Sequence, residues 1–208
     1  MSLALSRLNA YEPLRNVNVV IRRFIKFFVT IDTYLIFEKD LTIKSTSDFT
    51  PKMGVEFSVA STEDLRNFLD VFGDPINAEE LATAKERLNR GDICFIGVHD
   101  GVIVNYAWTS FTNAELLDSI FSPHSGVAYH YRAYTIPRFR GQGLHLASLA
   151  FSFDYLANAG QTKMWLYVHV KNHASLKNYR RYGCREVGTI RHVRFLRKYQ
   201  VLNYVRRA

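Results

Sequence analysis

Tyr134-Thr135-Ile136-Pro137-Arg138-Phe139-Arg140-Gly141-Gln142-Gly143-Leu144-His145 is the stretch that decides the reading of this chain. Before it, Val127–Thr135 is rich in aromatic residues and reads as a strand. After it, Leu144 to Asn158 reads as a helix. Glycines at 141 and 143 let the main chain adopt positive φ and keep any Cβ out of a ligand's way. The first N–H groups of the helix then point outward at the positive end of its dipole. Such a turn is a backbone site for a pyrophosphate, with Arg138 and Arg140 as mobile charge at its rim. An ordinary tight turn is the competing reading of a lone Gly-x-Gly. The Walker pattern is excluded because no Gly-Lys-Ser/Thr follows, and the dinucleotide pattern because its third glycine is missing.

Working outward, Val55–Ala60, Ile93–Val98, Val102–Phe111, Lys163–Val170, Glu186–Leu196 and Lys198–Val205 read as strands. Ser61-Thr62-Glu63-Asp64 supplies cap chemistry for a helix through Val71, and further helices are expected over Asn77–Asn89 and Ala174–Tyr182. Asp100-Gly101 is a hairpin signal. The strand–loop–helix–strand unit over 127–170 predicts a right-handed crossover joining two parallel strands. The fold class is therefore α+β: a mixed, mostly antiparallel sheet with a parallel central pair and helices on both faces.

Residues 1–52 read as an N-terminal extension, and 53–208 as the domain proper. Within Val17–Phe37, Val17, Val20, Ile21, Phe24 and Phe28 recur at helical spacing, with Arg22, Arg23 and Lys26 largely opposite. The pattern fits a helix packed on the main domain, or a basic amphipathic contact with a membrane surface through 17–37. A strand is expected over Tyr34–Leu41.

Downstream of the loop, Leu166-Tyr167-Val168 is followed by Asn172, Ala174, Ser175, Tyr179 and Gly183. With Arg138-x-x-Gly141-x-Gly143, this pattern resembles the GNAT superfamily of acyl-CoA-dependent N-acyltransferases, over about 55–205. His145, after the loop, and Cys184, after Gly183, depart from the common pattern. The resemblance implies a splayed parallel pair and direct attack of an amine on acetyl-CoA, or another acyl-CoA, without a covalent enzyme intermediate. The implied acceptor is a primary amine of a small molecule or amino sugar. The implied cofactor contacts are Tyr134, Thr135, Ile136, Arg138, Arg140, Gly141, Gln142, Gly143, Leu144, His145 and Asn172. A backbone N–H around Ala133–Thr135 would face the oxyanion. Tyr179 takes the position of the thiolate's proton donor, or simply packs its helix on the sheet. Asn172 contacts the pantetheine arm, caps the helix that follows it, or does both.

For the base, Tyr129, His130, Tyr131, His169 and Glu56 lie on expected strands near the cleft. Alternation puts Tyr129 and Tyr131 on one face, His130 and Arg132 on the other, and Trp165, Tyr167 and His169 together. His169 is the first candidate, with a water path as the alternative. No metal site is expected.

The net charge of +8 is uneven. Residues 1–120 carry 12 Lys/Arg against 17 Asp/Glu, and residues 121–208 carry 15 against 2. The basic half fits a polyanionic ligand: a phosphate-rich cofactor, nucleic acid or an anionic membrane. Nucleic acid is not expected as a partner, because the phosphate loop already accounts for the charge and no nucleic-acid motif accompanies it. A long-chain acyl donor and a non-catalytic CoA-binding protein stay open as alternatives. Cys94 and Cys184 are far apart and read as reduced thiols; the chain is expected to be cytoplasmic, as a monomer or homodimer.

Overall fold

The computed structural model describes residues 29–43, 49–64, 78–112, 126–195 and 199–206. In chain order these form β1 (Val29–Asp40), β2 (Glu56–Val59), α1 (Ala78–Asn89), β3 (Ile93–His99), β4 (Val102–Ser110) and β5 (Val127–Thr135). A 3-10 turn over Pro137–Phe139 leads to α2 (Leu144–Asn158), β6 (Lys163–His169), α3 (His173–Arg181), β7 (Arg185–Phe195) and β8 (Tyr199–Arg206). The eight strands make one sheet in the order β2-β3-β4-β5-β6-β1-β7-β8. Every neighbouring pair is antiparallel except β5–β6.

Local chemistry explains the joints. Asp100 and Gly101 both take positive φ, 49° and 75°, which matches the right-handed twist of the β3–β4 hairpin. The Ser61 cap is reciprocal. Its hydroxyl accepts from Asp64 N at 3.2 Å, while Asp64 Oδ2 accepts from Ser61 N at 2.6 Å. The body of the helix expected beyond Asp64 lies outside the described residues.

Side chains on the two faces of the sheet form two cores. Ala128, Met164, Leu166 and Val168 pack under Leu149, Phe153 and Leu156 of α2 and Leu176 and Tyr179 of α3. On the other face, Ile36, Trp108, Tyr129, Tyr131 and Ile190 pack with Ala84 and Leu88 of α1. Cys94 and Cys184 belong one to each core and are free thiols, so the sheet separates them.

The strand expected over Tyr34–Leu41 is present and begins earlier, at Val29, with its edges bonded to β6 and β7. Its β-branched residues Val29, Thr30, Ile31 and Thr33 favour extended backbone. Ile36 and Phe37 are 0% exposed, which removes them from any membrane surface. Residues 17–28 of the segment read as a basic amphipathic helix lie outside the described residues. β1, assigned to an N-terminal extension, is an interior strand of the sheet, which thus draws on residues before 53. Among the described residues, no helix is long and apolar enough to cross a membrane.

This placement also interleaves the uneven charges. Asp32 of β1 meets Arg194 of β7 at 2.8 Å, and Glu38 meets Arg185 at 2.9 Å and Lys163 at 3.5 Å. Arg180 pairs with Glu186 at 3.6 Å. Part of the basic half is therefore neutralised by acidic residues of the first strand, and its surface is less cationic than the sequence implies.

Candidate functional site

The parallel pair β5–β6 is bonded from Val127–Lys163 to His130–Leu166 and no further. Beyond that point β5 follows β4 to Thr135, while β6 follows β1 to His169. The two strands part and leave a wedge with His130 and Leu166 at its inner end. The register of β5 against β4 shifts between Tyr106 and Trp108, where Arg132 and Ala133 together face Ala107. Arg132 has φ 49°, so this is a bulge that swings the outer half of β5 away from β6. Asn105 holds that half in place, its side-chain amide donating to Tyr134 O and Thr135 Oγ1, both at 2.9 Å. The bulge also ends the simple alternation: Tyr129, His130 and Tyr131 are buried, whereas Arg132 and Ala133 are both exposed.

At the mouth of the wedge, Gly141 and Gly143 have φ 79° and 83°. Gly143 is the N-cap of α2, and no side chain caps that helix. The N–H groups of its first turn are thus presented outward, as an anion requires. Arg140 donates from Nε to Thr135 O at 3.1 Å and lies over the Tyr134 ring at 5.5 Å. Arg138 lies over Phe139 at 4.9 Å, and both guanidinium groups stay exposed. Ile136 and Leu144 are buried anchors for the loop, and Ile136 N donates to Val104 O at 3.0 Å. The segment after β1 crosses the loop as well: Lys52 N donates to Gln142 O at 2.9 Å.

On the β6 side, Asn172 caps α3, its Oδ1 accepting from Ser175 N at 3.2 Å. Tyr179 is 5% exposed and packs on Phe37, with ring centres 5.7 Å apart. Its hydroxyl is hydrogen-bonded to Ser175, and burial pushes its pKa up, so it stays a neutral phenol. The ring of His145, in the first turn of α2, meets Tyr179 edge-on at 5.7 Å. Tyr179 thus packs between Phe37 of β1 and His145 of α2.

His169 is differently engaged. Its Nδ1 accepts from Lys171 N at 3.1 Å, and its Nε2 lies 3.5 Å from Asp32 Oδ1. The first contact occupies the Nδ1 lone pair, so the proton sits on Nε2, directed at Asp32. These contacts hold the ring between β6 and β1. Glu56 is exposed on the edge strand β2, and the structure does not bring it to the wedge.

On the face opposite α2 the tyrosines gather. Tyr129 stacks on Tyr131 at 5.5 Å and on Tyr167 at 6.0 Å, and Tyr34 meets Tyr167 edge-on at 5.3 Å. Two residues that sequence reading did not single out complete this face. Asp32 answers His169 from β1. Asp92, 4% exposed, accepts from Tyr131 at 2.5 Å, from Ser110 at 2.6 Å and from Arg90. The one available signal for Asp92 was a carboxylate just after Gly91 at a helix–strand joint. Among the described residues, no group of three or more His, Cys, Asp or Glu could hold a metal ion.

Comparison with known proteins agrees with this geometry. Residues 60–184 match the model of the acetyltransferase (GNAT) family. A GCN5-related N-acetyltransferase from Kribbella flavida shares the fold at TM-score 0.54 and 19% identity, covering 85% of this chain and 63% of that one. A putative GNAT acetyltransferase from Novosphingobium aromaticivorans gives TM-score 0.54 and 13% identity, covering 79% and 64%. The glucosamine N-acetyltransferase region of a fungal multi-domain GH3 β-N-acetylglucosaminidase gives TM-score 0.58 and 13% identity, covering 95% and 23%. The chain thus spans less than two thirds of each of these proteins. No curated protein matches the chain.

Proposed function

The chain belongs to the acetyltransferase (GNAT) family, and from that premise we propose that it moves an acetyl group from acetyl-CoA to a primary amine of a small molecule or amino sugar. The observation that carries this reading is the alignment of a strand wedge with an uncapped helix start. The wedge between β5 and β6 accepts an extended pantetheine arm, and the α2 N-terminus at its mouth suits the pyrophosphate. Arg138 and Arg140 add charge beside the phosphates, and Asn172 stands across the mouth from them.

In this reading the amine nitrogen attacks the thioester carbon directly. The carbonyl oxygen gains charge as the tetrahedral species forms, and a backbone N–H just beyond the bulge, around Ala133–Thr135, stabilises it. The carbon–sulfur bond then breaks, Tyr179 passes its hydroxyl proton to the departing thiolate, and solvent returns a proton to the phenolate when the CoA thiol leaves. Burial keeps the phenol protonated and ready to donate. The amine's own proton leaves through water along the tyrosine-lined face. His169, bonded at Nδ1 and near Asp32, positions β6 against β1 in this scheme and is not needed as the base.

Calorimetric titration with CoA and acetyl-CoA, followed by an amine screen that includes amino sugars, tests the proposal. Binding of both cofactors and acetylation of at least one amine are expected. No heat and no thermal shift with acetyl-CoA would sink it.

A further inference from the structure

His130 ends the bonded stretch of β5 and β6, so it stands where the tip of an acyl donor would come to rest. Its ring lies on the α2 side of the sheet, opposite the stacked Tyr129 and Tyr131. Nδ1 is 3.1 Å from Thr109 Oγ1, and the residue is 3% exposed. Its other nitrogen, Nε2, is fully enclosed and meets no protein partner. Nε2 of His145 is in the same condition, on a ring that touches Tyr179. Enclosed polar atoms of this kind are costly unless a ligand or an ordered water answers them.

Both rings are neutral. Burial lowers His145 to about 4, and burial together with nearby His145 lowers His130 to about 3. A neutral imidazole presents one donor and one acceptor, so such a pair is a poor lining for a methyl terminus and a good one for a hydroxyl. Leu166 and Val168 of β6 are buried on the same side, and the buried Thr109 already engages His130 Nδ1, so the two Nε2 atoms are the unanswered polar atoms there.

We propose that His130 Nε2 and His145 Nε2 form a polar subsite at the inner end of the donor wedge, built to take one hydroxyl group. It rests on the acyl-CoA reading above. The hydroxyl has two sources: a water molecule held beside an acetyl group, or the 3-hydroxyl of a short acyl chain. In either case an apolar chain reaching the subsite is penalised.

The test compares acetyl-CoA, butyryl-CoA and 3-hydroxybutyryl-CoA by calorimetry on the wild type, His130→Leu, His145→Leu and His145→Asn. CoA itself is titrated first. If CoA does not bind, the acyl-CoA reading fails; if CoA binds, the donor ranking judges the subsite alone. An acyl hydroxyl predicts that the wild type binds the hydroxylated ester about tenfold more tightly than butyryl-CoA. A held water predicts that acetyl-CoA binds about tenfold more tightly than both four-carbon esters. Both versions predict that the leucine variants move the ranking towards butyryl-CoA and that His145→Asn restores part of the original order. Equal binding of the three esters by the wild type overturns the proposal, and this comparison needs no variant to fold. An unchanged ranking in leucine variants that melt cooperatively overturns it as well.

Discussion

The hydroxyl of Tyr131 donates to Asp92 Oδ2 at 2.5 Å, tying the middle of β5 to the joint between α1 and β3. Ser110 and Arg90 complete the carboxylate's shell, and the Asp92 side chain is 1% exposed. Removing one partner of a buried charged pair leaves the other uncompensated. Arg90 is 38% exposed, which moderates the cost. Asp92→Asn is therefore expected to destabilise by about 2–3 kcal/mol, read from urea melts.

A fragment starting at residue 53 contains every residue that matches the family model, yet it lacks β1. Without that strand β6 and β7 lose their shared neighbour, and the buried Ile36 and Phe37 leave both cores. The fragment is expected to be insoluble or to lack a cooperative thermal transition. A soluble fragment with a sharp melt would show that the sheet closes without its first strand.

Tyr179→Phe keeps the ring packed on Phe37 and removes only the transferable proton. We expect kcat to fall about 100-fold with little change in KM for the donor. The loss should shrink with a donor whose leaving thiol is more acidic. Steady-state kinetics on a two-donor series reads both effects.

Acid should destabilise the fold before its carboxylates titrate. His130 and His145 are neutral when folded, at about 3 and about 4, but bind protons near 6.5 when unfolded. Their stabilising contribution is complete above about pH 6.5 and is lost as pH falls towards the folded values. Two such groups give a slope approaching about 2.7 kcal/mol per pH unit between pH 4.5 and 6. Denaturation series over that range should show His145→Leu with roughly half the wild-type slope.

Gly143 stands at φ 83°, where an added Cβ would meet only Pro51 Cα, at 3.7 Å. Gly143→Ala is therefore strained by its backbone and not by crowding. The strain falls on the residue that starts α2, so CoA affinity should drop about tenfold while the melting temperature falls by only a few degrees. Calorimetry and a thermal melt on the same preparation separate the two.

Wherever one local rule acted alone, the fold was readable from sequence. The hairpin at Asp100-Gly101, the helix over Leu144–Asn158 and the parallel crossover followed from turn chemistry, periodicity and handedness. The glycine loop was readable for the same reason. What stayed hidden depends on partners far along the chain. The strand at Tyr34–Leu41 was legible, but its place inside the sheet was not, because residues more than a hundred positions away pair with both its edges. The bulge at Arg132 has no glycine to announce it, and Asp92 gains its meaning from Tyr131 across the sheet. The approach of His169 to Asp32, which joins β6 to β1, likewise could not be read from local sequence.

The location of β1 sets a constraint on synthesis. β1, the earliest of the described strands, lies between two that come much later in the chain, β6 and β7. While the ribosome works through the intervening residues, Leu35, Ile36 and Phe37 emerge with nothing to cover them. Such long-range pairing slows folding and exposes the nascent chain to aggregation. The protein should thus be a client of chaperones that bind short apolar segments, and its yield should depend on how long that first strand is kept waiting.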